Sequence, residues 1–155
     1  MAITIPASIT GAAQTGFTTP GYTTVADTPP DVNSKQNAVT ALTGTQTGVD
    51  VHSVSKPFTI TVTRPKVMQA LGKPNPVTGL IAKVPQNTYK VLTRKGVLPL
   101  AGQPNQMLII RTEILVPAGS DTADAPNIKA ALSAHIGSLS SFSAGFGDTV
   151  LNGVL

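Results

Sequence analysis

Residues 107–117, MLIIRTEILVP, form the most strand-like run in the chain, yet they carry Arg111 and Glu113 near the middle. Side chains alternate along a strand, so Ile109, Arg111, Glu113 and Leu115 share one face. Leu108, Ile110, Thr112, Ile114 and Val116 share the other. Both charges therefore leave by the same side, and an unpaired ion in a core would cost several kcal/mol. The charged side is expected to be open. The aliphatic side needs a cover.

Working upstream, KPFTITVTRP (56–65) alternates clearly, with Phe58, Ile60 and Val62 on one face and Thr59, Thr61 and Thr63 on the other. One buried and one wet face is the habit of an antiparallel sheet. TYKVLTRKGV (88–97) reads as a strand with Lys90 and Arg94 on one face and Tyr89 and Lys95 on the other. Val91 and Leu92 are both apolar, so alternation alone does not say which face joins Arg111. The expectation is that Lys90 and Arg94 take the polar side, with Tyr89 and Val91 beneath the cover. Residues 72–87 hold three prolines and read as loop, with a short strand at 80–84. The first 50 residues are rich in Thr, Ala and Gly. AITI (2–5), GYTTVAD (21–27) and QNAVTALTG (36–44) read as strands of N-terminal hairpins, with TPPDVNSKQ as a turn region.

Downstream lies the candidate cover. In SDTADAPNIKAALSAHIGSL (120–139), Asp121 to Asp124 and Pro126 mark a helix start. Ile128, Leu132, His135, Ile136 and Leu139 then form one apolar stripe. A Ser/Gly-rich break (SLSSFSAGFG) follows, and GDTVLNGVL reads as a short helix capped by Asp148 that buries Val150, Leu151, Val154 and Leu155. So short a helix must dock on something, and one modest helix pair does not cover a wide sheet. A partner subunit supplying further helices would.

The 155 residues fit one domain: 1–50 as hairpin and loop, 51–117 as sheet, 120–155 as two helices. The charged fraction is 12%, about half the usual ~25%, so the surface depends on association for cover. No cysteine is present, which excludes disulfide and thiol chemistry. The N-terminus lacks a signal-peptide pattern, and no window reaches the ~20 apolar residues of a membrane span. Cytoplasmic synthesis is expected.

Charge placement points to an anion. Lys56, Arg64, Lys66, Lys73, Lys83, Lys90, Arg94, Lys95 and Arg111 lie in a stretch from Val51 to Thr112 that has no acidic residue. Such segregation suits phosphates. No zinc spacing, Walker loop or Gly-x-Gly-x-x-Gly run is present. His52 and His135 lie in unrelated settings, and no carboxylates are paired for acid–base work. No enzyme activity, metal or cofactor is expected.

From about Lys56 to Leu155, the order KPFTITVT, TYKVLTRKGV, loop, MLIIRTEILVP and two terminal helices resembles the coat protein of a single-stranded RNA bacteriophage of the levivirus type. The run RTEILVPAGSD before a helix is the most specific part. The resemblance implies an α+β fold, an antiparallel sheet with N-terminal hairpins and two C-terminal helices packed on one face, in an interlocked homodimer. It implies icosahedral self-assembly into a virion shell, single-stranded genomic RNA on the inner sheet face and, in some members, a hairpin bound to repress translation. The RNA-contact positions it implies are Arg111 and Glu113, then Lys90 and Arg94, and more weakly Thr59 and Thr61. Lys95 and Tyr89 complete the candidate set from the basic strand. The first 50 residues and the 72–87 loop are longer than the pattern requires. The rival reading is a non-enzymatic β-rich binding module, such as an accessory or adhesin-type domain, in which the cations are ordinary surface.

Overall fold

A computed structural model describes residues 3–155. Six strands run in sequence order as one antiparallel meander: β1 (Ser8–Thr10), β2 (Thr18–Asp27), β3 (Ser34–Thr45), β4 (Phe58–Thr63), β5 (Gln86–Val97) and β6 (Gln106–Pro117). They are followed by α1 (Ser120–Ala123), α2 (Ala125–Ser141) and α3 (Ser143–Asn152). This is the expected α+β fold.

Register fixes which residues share a face. Thr59 lies opposite Ala38 and Arg94, Thr61 opposite Gln36 and Leu92, and Thr63 opposite Ser34 and Lys90. Continuing outward, Arg94 faces Ile109, Leu92 faces Arg111 and Lys90 faces Glu113. All of these are on one side, away from the helices; it is closed over Ala38, Thr59 and Thr61 and open along β5 and β6, and is called the open face for that part. The other side carries Phe58 beside Lys95, Ile60 beside Thr93, Tyr89 beside Ile114 and Asn87 beside Val116. It is the helix side: Ile128, Ala131, Leu132 and His135 of α2 and residues 112–117 of β6 line a cavity of about 270 Å³ there. On β6, Thr112, Ile114 and Val116 are half-buried while Arg111, Glu113 and Leu115 are exposed.

Several local expectations are corrected. Residues 3–5 of AITI are irregular, with Ala2 outside the described residues, and the first strand is Ser8–Thr10. Residues 80–84 form no strand; the whole stretch from 64 to 85 is loop. It is held at Asn87, whose side chain accepts from Gln69 N–H and donates to Gln69 C=O. The Ser/Gly-rich run is helical instead of broken: α2 extends to Ser141, and α3 starts at Ser143 after Phe142 alone. Asp148 lies inside α3 and caps nothing. An extra helical turn, α1, precedes α2, separated from it by Asp124 at φ −145°. Pro126 does sit in the first turn of α2, as its fixed φ favours. Gly119 makes the turn out of β6 at φ +86°, where a side chain would be strained and would press on Leu71.

The core is small. Among the described residues Val39, Ala38 and Ala118 are buried side chains of it, joined by Thr24, Thr59, Thr61 and Asn87. Neither α2 nor α3 buries any residue. The expected burial of Val150, Leu151, Val154 and Leu155 is absent within one chain, where they are 65–110% exposed. The helices form an arm rather than a lid. Its far end is held by the turn between β1 and β2: Thr15 Oγ1 donates to Asp148 Oδ2 at 2.8 Å and Ser143 Oγ to Ala13 C=O at 2.6 Å.

Candidate nucleic-acid interface

The open face brings together six of the eight candidate residues. Arg94, Arg111 and Lys90 make a zigzag across β5 and β6: the register sets Arg111 diagonally from both other cations. Diagonal neighbours on adjacent strands are about 7–8 Å apart, comparable to the reach between successive phosphates of an extended single strand. Lys90 Nζ meets Glu113 Oε1 at 3.0 Å, with both side chains about two-fifths exposed. Among the described residues, Arg94 and Arg111 have no carboxylate partner. The two guanidiniums are thus uncommitted donors, each a planar fork suited to phosphate oxygens.

Thr59 and Thr61 lie on the same face but are buried, at 4% and 1% exposure. Thr61 Oγ1 donates to Gln36 Oε1 at 2.8 Å, and Gln36 Nε2 donates to Asp27 Oδ2 at 2.7 Å. The Gln36 amide and the Thr28 N–H hold the Asp27 carboxyl below the ordinary carboxylate range. Gln36 and Asp27 escaped sequence reasoning because their place depends on register across three strands. Their parity within SKQNAVT and TTVAD was the available signal.

Tyr89 and Lys95 fall on the helix side, away from Arg111. Tyr89 Oη lies 3.6 Å from Met68 Sδ, beneath the 64–85 loop. Lys95 Nζ sits 4.6 Å from the centroid of the Phe58 ring and donates to Asp50 C=O. Desolvation there, more than any nearby charge, lowers the Lys95 pKa. Beside it Lys56 pairs with Asp50 at 2.6 Å, holding that exposed carboxyl below its ordinary range. Tyr22 and Phe58 stack edge-to-face at 5.7 Å. His52 is structural: its Nδ1 accepts from Phe58 N–H. His135 is exposed at the cavity under α2. No group of His, Cys, Asp and Glu among the described residues could hold a metal, and no helix among them is long and apolar enough to cross a membrane.

An edge strand of 12 residues, β6, with an arm of helices that finds no cover in its own chain, defines a subunit built for assembly. Comparison with solved structures places it further. The chain is similar to the virus-like particle of bacteriophage ESE020, at 58% sequence identity over 99% of this chain and 100% of that chain, with a TM-score of 0.96. It belongs to the family of bacteriophage coat proteins, the resemblance its sequence carries. It is a structural capsid protein, a component of the virion that assembles into higher-order particles. No protein-family model and no curated protein matches the chain.

Proposed function

We propose that the protein dimerises along β6, closes into an icosahedral shell, and packages single-stranded RNA by charge on the open sheet face. The observation that carries the RNA reading is the pair of unbridged guanidiniums, Arg94 and Arg111, set diagonally on a side of the sheet that the chain's own helices leave uncovered. In this reading Arg94 and Arg111 contact phosphates, while Thr59, Thr61 and Gln36 hold the sheet beneath them. Lys95 and Tyr89 belong to the packing of the other face. Synthesis in the bacterial cytoplasm, followed by assembly there around RNA, is part of the same proposal.

Dimerisation through β6 is supported by its unpaired edge and by Met107, Leu108, Ile109 and Ile110, each 41–58% exposed. Long exposed apolar edge strands invite pairing with another chain. A second β6 alongside would continue the sheet, and each arm would lie over the partner's helix-side face. Selective recognition of a repressor hairpin has weaker support, because bases are commonly read by stacking. The strand aromatics Tyr22, Phe58 and Tyr89 lie on the helix side. Packaging by phosphate contact is therefore the reading preferred over translational repression.

The test is direct. Particles purified from expressing bacteria should be round shells by electron microscopy and absorb mainly near 260 nm, since the protein has two tyrosines and no tryptophan. The double variant Arg94→Ala/Arg111→Ala should still fold. Its binding to single-stranded RNA should lose about 0.7 of salt slope per phosphate contact removed. Unchanged slope and unchanged RNA content would overturn the assignment.

A further inference from the structure

The Lys90–Glu113 pair divides the open face unequally. Glu113 is the carboxylate set among three cations: it lies directly across from Lys90 and two residues along β6 from Arg111. Its oxygen meets Lys90 at 3.0 Å and leaves both arginines unbridged. A pair as exposed as this adds little to fold stability, but a phosphate that takes Lys90 must first displace the carboxylate already on it. The phosphate must also approach the carboxylate's charge.

We propose that Glu113 masks Lys90, reducing the face from three available phosphate contacts to two per subunit and so limiting its affinity for RNA. This inference rests on the packaging reading. Counterion release converts the number of neutralised phosphates directly into the slope of affinity against salt, about −0.7 per phosphate for single strands. A masked cation contributes little to that slope, because its charge is already balanced and taking a phosphate means giving up the carboxylate. A face of two contacts binds RNA loosely along its length and without regard to sequence, as a shell holding a whole genome requires.

The measurement is equilibrium binding of the full-length protein to a short, unstructured, labelled single-stranded RNA across a salt series. Glu113→Gln keeps the size and removes the charge. It should bind more tightly at low salt, with a slope steeper by about 0.7. Adding Lys90→Met to it should return the slope to the wild-type value. Lys90→Met alone should lose much less than one contact's worth of slope, which provides an independent reading if Glu113→Gln folds poorly. If Glu113→Gln binds with an unchanged or shallower slope, or if Lys90→Met alone loses a full contact, the masking is wrong while the packaging reading stands. A wild-type protein with no salt-dependent RNA binding would remove both.

Discussion

Thr61 is 1% exposed and its hydroxyl donates to Gln36 Oε1, so this side chain holds strands together instead of meeting a ligand. Thr61→Val keeps the shape and leaves Gln36 Oε1 without its donor. Gln36 is half-buried, so the orphaned acceptor costs ~1 kcal/mol, the low end of the range for buried groups, and denaturant unfolding should show a loss of that size with RNA affinity of the folded protein unchanged. The neighbouring Asp27 adds a pH dependence. Its folded pKa is depressed by Gln36 and Thr28, so its contribution to stability is fully present above the ordinary aspartate value of ~3.9 and is lost as pH falls through the lower, folded value. Asp27→Asn should flatten the acid limb of a stability-against-pH curve; an equally steep limb in the variant would assign acid sensitivity elsewhere. At this scale, the sequence showed that Arg111 and Glu113 leave by one side, because alternation within a strand is local. That Thr59 and Thr61 are roofed by neighbours, and that Lys90 finds Glu113, depends on pairings between strands that no single segment contains.

Elements were legible where their pattern was strong. The alternation in 56–65 and the run at 106–117 gave β4 and β6, and the stripe from Ile128 to Leu139 gave most of α2. They were misread where composition argued against the final state. Gly145 and Gly147 each disfavour helix by ~1 kcal/mol relative to alanine, yet both lie inside α3. Contacts 130 residues distant offset that cost, for the turn between β1 and β2 docks on α3 through Thr15, Ser143 and the Gln14 side chain beside Gly147. The absent side chain at Gly147 is what lets Gln14 approach. The double variant Thr15→Val/Ser143→Ala removes both hydrogen bonds. Amide hydrogen exchange should then speed up across 143–152 while β3, β4 and β5 keep their protection. Equal protection of α3 in the variant would show that the turn does not hold the arm.

At the scale of the whole molecule, the decisive quantity is the surface a single chain leaves in water. It exposes 10735 Å², whereas a compact monomer of 15.9 kDa exposes roughly 7,400 Å². The excess of about 3,300 Å² exceeds the ~1,000–2,500 Å² that each partner buries in a large obligate interface. One contact would not absorb it, and a shell, in which every subunit has several neighbours, would. The shortage of cover was readable from sequence, since a wide sheet faced two short helices. That a partner subunit would supply the cover was an expectation of the sequence; which residues would meet it depends on pairings that a single chain does not contain. Ile110 tests the arrangement: it sits on β6, on the helix-side face, and is 58% exposed in the single chain. If a second β6 and the partner's arm cover it, Ile110→Asp buries an unpaired carboxylate at a cost of several kcal/mol. Size exclusion should then show loss of the particle in favour of small or aggregated species, while Leu80→Asp, a change of the same kind on the exposed 64–85 loop, keeps the sheet and the β6 contact intact. Normal shells from Ile110→Asp would mean that β6 stays open to water and that the subunits join through another edge.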